Sequence, residues 1–149
     1  MFHEVVADGA AGDERDADEV TAAALLASFE TLVSEAAAEV GRERLAEETG
    51  LDEEILDAAA AGDVEGLRFE DGAAIVAAPT DRDGDAVVAE VRDHLLMGMA
   101  TAVLDVDAIA AAIDADLTGQ EVQQALEGRA AMTLGQLAEI MAVIERRKP

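Results

Sequence analysis

Apolar residues return at steps of three and four along most of the chain, and the places where that rhythm stops mark the ends of helices. From Asp18 onward Leu25, Phe29, Leu32 or Val33, Ala36 and Val40 share one face of a helix that Gly41 ends or bends. A short helix over about 42–49 stops at Gly50, and another over about 52–61 stops at Gly62. Leu67, Phe69, Ala73 and Ile75 outline a fourth that ends near Pro79. The stretch PTDRDGD, 79–85, joins a proline and a glycine to four close charges and reads as a linker.

After the linker the rhythm starts again. A shift of 66 residues lays Leu25 on Val91, Phe29 on Leu95, Val33 on Met99, Ala36 on Ala102 and Val40 on Val106. The same shift pairs Ala46 with Ala112, Leu51 with Leu117, Leu56 with Val122, Ala59 with Ala125 and Gly62 with Gly128. With one residue removed, Leu67, Phe69, Ala73 and Ile75 meet Met132, Leu134, Ala138 and Ile140. The pattern predicts a tandem pair of units, each a long helix, two short ones and a final one. Neither is large enough to bury much alone, so the two are expected to share apolar surface. Thr118 with Glu121 and Thr133 with Gln136 have capping-box spacing and mark helix starts in the second copy.

Composition favours helix further. Alanine occurs 34 times, whereas tyrosine and tryptophan are absent, so a sheet would lack its usual aromatic residues. The net charge is -24, yet 51% of residues are hydrophobic, which places the chain among folded proteins and not among acidic tails. Lys148 is the sole lysine beside nine arginines. That balance points to a halophile's interior, because at molar salt the Debye length is about 3 Å and dense carboxylates barely repel one another. There is no cysteine, which excludes disulfides, thiol catalysis and cysteine-rich zinc sites. No basic, apolar leader opens the chain, and the longest uncharged run, LLMGMATAVL at 95–104, is too short for a bilayer that needs about 20 residues, so a cytoplasmic location is expected.

The stretch LAEETGLDEEILDAAAAGD, 45–63, resembles a helix-turn-helix of the lambda-repressor-like class. Ala46 is small where two helices would approach, Gly50 permits a positive φ four residues later, and Leu51 and Leu56 would plug the space between them. In the second copy EGRAAMTLGQLAEIM resembles the end of the same domain, and Asp116 stands where Gly50 does in the first; Asp tolerates the left-handed conformation. This resemblance implies an all-α fold of two four-helix units packed together. The whole chain is also similar to a family of small acidic haloarchaeal proteins of unassigned function, through EGRxxMTL and LLMGMxTAVLDVD. That second resemblance implies no activity.

Would either copy read DNA? The first presents Asp52, Glu53, Glu54 and Asp57, the wrong sign for phosphates. The second presents Gln120, Gln123, Gln124 and Arg129, side chains able to contact base edges but equally at home on any exposed helix. The basic cluster Arg146, Arg147 and Lys148 complements the dipole of the last helix. Asp81, Asp83 and Asp85 alternate as in a calcium loop, but Ala86 and Arg92 stand where that loop needs Gly and Glu, so the segment reads as a solvated turn. His3 and His94 have no partner at zinc-motif spacing, and the serines Ser28 and Ser34 lie in no nucleophile elbow. The run LLMGMATAVL is apolar on every face and should be enclosed on all sides, either in the core or in a homodimer seam through Leu95, Met97, Gly98 and Met99.

These readings converge on an all-α tandem pair of four-helix, lambda-repressor-like units: an acidic arm at 1–17 that frays, a first unit at 18–78, a linker at 79–85 and a second unit at 86–147. The expected function is a protein-interaction module on a degenerate helix-turn-helix scaffold, without enzyme activity, cofactor, metal or membrane. Its partner would be another protein or a second copy. The alternative is a DNA-binding transcriptional regulator acting through the second helix-turn-helix.

Overall fold

The computed structural model describes Phe2, residues 20–114 and residues 116–148. His3 and nearly all of the expected arm lie outside the described residues. The architecture is all-α, and among the described residues the only β pairing is one isolated bridge. Helix α1 spans Ala22–Val40, opened by Thr21, whose hydroxyl accepts a bond from the N–H of Ala24 (3.1 Å). Gly41 at φ 87° ends it, and α2 (Arg42–Thr49) follows at once. Gly50 takes the left-handed conformation, as expected of that turn, and α3 (Glu53–Ala61) ends on Gly62 in the same conformation. Helix α4 covers Phe69–Ala77.

Helix α5 covers Gly84–Ala102 and so absorbs the end of the expected linker. Gly84 allows a close approach there, since a Cβ would sit 3.0 Å from the Cα of Ala74 in α4. Asp83 caps the helix through the N–H of Asp85, a local structural task for one of the alternating aspartates. Helices α6 (Val106–Ala112), α7 (Gly119–Leu126) and α8 (Leu134–Arg147) complete the chain. Both capping boxes form, at Thr118 with Glu121 and at Thr133 with Gln136. The second turn departs from the expected copy of the first. α6 stops at Ala112 and Ile113 is extended (φ -89°, ψ 156°), so a longer connection replaces the tight Gly50 turn.

Packing follows a repeated scheme. α1 lies on α3 and α4 as α5 lies on α7 and α8, and α2 touches α3 and α4 as α6 touches α7 and α8. Across the middle, α1 meets α8, α5 meets α4, and α4 meets α8. The isolated bridge joins Arg68 to Thr133. There the N–H of Phe69 donates to the carbonyl of Met132 (2.7 Å) and the N–H of Leu134 to that of Leu67 (2.8 Å). These two bonds exchange under the 65-residue spacing read from the sequence, which is the relation a local two-fold axis produces. Residues matched by the spacing are buried in pairs, among them Leu56 with Val122, Ala59 with Ala125, Ala73 with Ala138 and Ile75 with Ile140.

The chain's three phenylalanines meet in the core. Phe2 packs edge-on against Phe29 (centroids 5.1 Å apart) and Phe69 (5.7 Å) and is fully enclosed. This corrects the expectation of a loosely held start at that residue. Among the described residues no polar or charged side chain is buried, so the charges they carry lie at or near the surface.

Candidate functional site

The residues of the expected recognition surface lie on α7 and just after it. α7 buries Val122, Ala125 and Leu126 and turns Gln120 and Gln123 to solvent, with Gln124 half-buried. Arg129 is exposed just beyond Gly128, its N–H donating to the carbonyl of Gln124 (2.8 Å). The four residues therefore lie together, with Asp116, Glu121 and Glu127 exposed around them and the guanidinium of Arg92 from α5 lying against Gly128 beside Arg129. On α3, Asp52, Glu53, Glu54 and Asp57 are all exposed, with Asp57 paired to Arg42. That hydrogen bond is the main reason the Arg42 guanidinium is held above its ordinary value. The α3 face offers phosphates no net positive charge, and around α7 the exposed carboxylates outnumber Arg129 and Arg92.

The run 95–104 behaves differently from its expected enclosure on all sides. Leu95 is buried and Met99 partly so, yet Leu96 is 48% exposed, Met97 71% and Val103 88%. Covering a ten-residue stretch needs neighbours on every side, but α4, α7 and α8 pack only around one side of α5. Gly98 also proves internal. A Cβ there would lie 2.7 Å from Cγ2 of Ile144 and 3.4 Å from Cε of Lys148, so Gly98 lets α8 approach and belongs to no outer seam.

The outward positions of α5 and its cap are Asp85, Ala86, Ala89, Asp93, Leu96, Met97, Ala100, Thr101 and Val103. Both charged ones, Asp85 and Asp93, fall in its first half, and none follows Asp93 up to Val103. Among the described residues, the exposed large apolar side chains are Leu96, Met97 and Val103. The corresponding helix α1 exposes Ala23, Ala24, Ala27, Thr31, Glu35, Ala38 and Glu39, with no large apolar group. Beside the α5 face stands the end of α8, where Glu145 accepts a bond from Nζ of Lys148 (2.7 Å) and lies 3.6 Å from Nε2 of His94. Arg146 and Arg147 are exposed next to it.

The clefts add little chemistry. One of about 250 Å³ between α1, α2 and α3 is lined by Ala37, Ala38, Leu45, Leu56 and Ala60, with Arg42 at its rim. A more polar one of about 460 Å³ at the 79–85 turn is lined by Glu48, Glu70, Arg82, Asp83 and Asp85. Ser28 and Ser34 donate back to helix carbonyls, of Ala24 and Thr31. Among the described residues no group of His, Asp or Glu is placed to hold a metal ion. Among the described residues no single helix is long and apolar enough to cross a membrane; α5 and α6 reach the composition only as a pair bent by 93°.

A sequence profile spanning the helical body, residues 25–147, matches the chain. The chain belongs to DUF5791, a family of unknown function. The matched region runs from Leu25 in α1 to the end of α8, so both helical halves and the α5 face lie inside what DUF5791 describes. No curated protein and no solved structure matches the chain. The α5 run stands out in the sequence, but its cover is one-sided. The missed signal was Leu96 with Ala100 and Val103, an i, i+4, i+7 stripe lying opposite the buried Val91, Leu95 and Gly98.

Proposed function

We propose that this DUF5791 protein is a non-enzymatic interaction module of a halophile's cytoplasm, built from two copies of a degenerate helix-turn-helix unit. The repeated packing scheme and the exchanging bonds at Arg68 and Thr133 support the duplication. The helix-turn-helix reading is supported by Gly50 and by the burial of Leu45 and Leu56 about it. The acidic face of α3 favours a scaffold that no longer reads DNA, and the carboxylates Asp116, Glu121 and Glu127 around Arg129 and Arg92 extend that to α7. The observation that carries the function is the outer face of α5. Leu96, Met97 and Val103 stand in water on a chain of net charge -24, and an exposed apolar cluster in a surface otherwise so polar marks a place of contact.

Affinity capture at multimolar KCl tests this reading with the wild-type chain and Met97→Glu as bait. The expected result is a partner, or more of the chain itself, retained by the wild type and lost by the variant. A wild-type protein that retains nothing and is monomeric at every concentration overturns it.

A further inference from the structure

We infer that the cleft between α1, α2 and α3 binds a free α-amino acid with an aliphatic side chain, held by that side chain in the cleft and by both of its charges at the rim. The inference is independent of the α5 face. The cleft carries no reactive group, but comparison of the two halves of the chain shows why it is open. Helices α1 and α5 have 19 residues each, and both end on a residue of positive φ, Gly41 and Val103. Counted back from those caps, Leu25, Phe29 and Val33 meet Val87, Val91 and Leu95, a shorter spacing than the sequence register, and all six are buried. Ala37 then meets Met99. Helices α3 and α7 are followed by Gly62 and Gly128, both at positive φ, which sets Ala60 against Leu126 and Leu56 against Val122. In the second half Met99 packs on the core and Leu126 is buried. In the first half two alanines stand there, and a cleft of about 250 Å³ is left over Leu45 and Leu56. Helix α1 touches more of α3 than α5 does of α7, but a packed helix pair relaxes only in part when small groups stand for large ones. The space exceeds the roughly 150 Å³ at which an apolar cavity takes up benzene, and Leu126 shows the size of group that suits it.

Charge at the rim selects the rest of the ligand. Arg42 lines the cleft and is bonded to Asp57, with a second bond to the carbonyl of Glu53 (3.4 Å). Both partners of the ion pair are exposed, so it adds little to the fold and can be rearranged at small cost. Ser34, on the cleft wall, donates its hydroxyl proton to the carbonyl of Thr31, and its oxygen can still accept. A monocarboxylate would gain Arg42 but meet Asp57 at the same point, and an alkyl amine would gain Asp57 but meet Arg42. A zwitterion satisfies both, its carboxylate on the guanidinium and its ammonium on Asp57, with the Ser34 oxygen as a further acceptor. Zero net charge also lets it approach a chain of net charge -24, whose field repels anions.

The test uses the full chain in multimolar KCl with L-leucine as the probe, read by calorimetry and by the methyl resonances of Leu45 and Leu56. L-leucine should bind with a Kd on the order of 0.1–1 mM and shift both sets of methyl signals. Glycine lacks the side chain, 4-methylpentanoate the ammonium and 3-methylbutylamine the carboxylate, and each should bind at least about tenfold more weakly. Ala60→Leu, at an exposed position, should keep the helical circular dichroism and lose at least about tenfold in leucine affinity. Asp57→Asn should invert the preference, so that 4-methylpentanoate binds better than leucine. A wild type that gives neither heat nor methyl shifts at about 50 mM L-leucine overturns the site, as do shifts that miss Leu45 and Leu56 or a leucine affinity untouched by Ala60→Leu. Wild-type binding of 4-methylpentanoate as tight as that of leucine overturns the amino-acid assignment. These substitutions leave α5 intact, so Met97-dependent capture of a partner stands or falls separately.

Discussion

Asp71 lies in the first turn of α4, half-buried, and burial holds its carboxyl above the ordinary range; Glu70 and Asp52 push the same way and Arg68 opposes them. Between the unfolded value near 3.8 and the higher folded one, the folded state binds more protons. Its contribution to stability is therefore fully present below that window and is lost as pH rises through it. Asp71→Asn should stabilise the fold at pH 7, and that gain should disappear below about pH 3.8, read as the difference in urea midpoint between the two proteins. Gly98 gives the opposite case, because helix propensity and packing disagree there. Alanine would add about 1 kcal/mol of propensity, but its Cβ would lie 2.7 Å from Cγ2 of Ile144, a branch on a buried and stiff side chain. Overpacking of that kind costs about 1–3 kcal/mol, so Gly98→Ala should be net destabilising by about 1 kcal/mol in denaturant unfolding, within the chain and without changing association.

At the scale of elements, what was legible in the sequence was what local chemistry decides. Gly50 and Gly62 end their helices because only glycine enters the left-handed region cheaply, and Thr118 and Thr133 open theirs because a hydroxyl can satisfy an orphan N–H three residues on. These signals span a few residues and need no partner. The cover of α5 was not legible, since Gly98 meets Ile144 of α8 only after the second unit has folded. Phe2 escaped notice for the same reason: no periodic pattern surrounds it, and its pocket is made by Phe29 and Phe69. The 66-residue register hid the α6–α7 connection, because alanine matches alanine whether or not the helix continues. The two capping boxes separate local from shared effects. Thr118 is exposed, while Thr133 is half-buried and its residue also forms the bridge to Arg68. Thr133→Ala should cost about 1–2 kcal/mol and Thr118→Ala about 0.5–1 kcal/mol in urea midpoint at fixed KCl. Equal losses would show that the bridge region holds no more than its own cap.

For the whole molecule, the governing quantity is the net charge of -24. Several of the few basic residues are already spent on exposed pairs, Arg42 with Asp57, Arg44 with Glu48 and Arg82 with Glu90, which contribute little singly. At 0.1 M salt the Debye length is about 10 Å, so neighbouring carboxylates repel; at molar salt it is about 3 Å and most of that repulsion is gone. The thermal midpoint should therefore climb with KCl. Screening is separable from the general strengthening of apolar burial that salts also produce, because only screening depends on the chain's own charges. Glu35 and Glu39 stand exposed one turn apart on α1, a like-charged i, i+4 pair. Glu35→Gln with Glu39→Gln should lower the KCl concentration at which half the protein is folded and flatten the dependence of midpoint on salt. If the variant melts along the wild-type curve at every KCl concentration, the repulsion between carboxylates is not what the salt relieves, and the acidic surface must serve hydration instead.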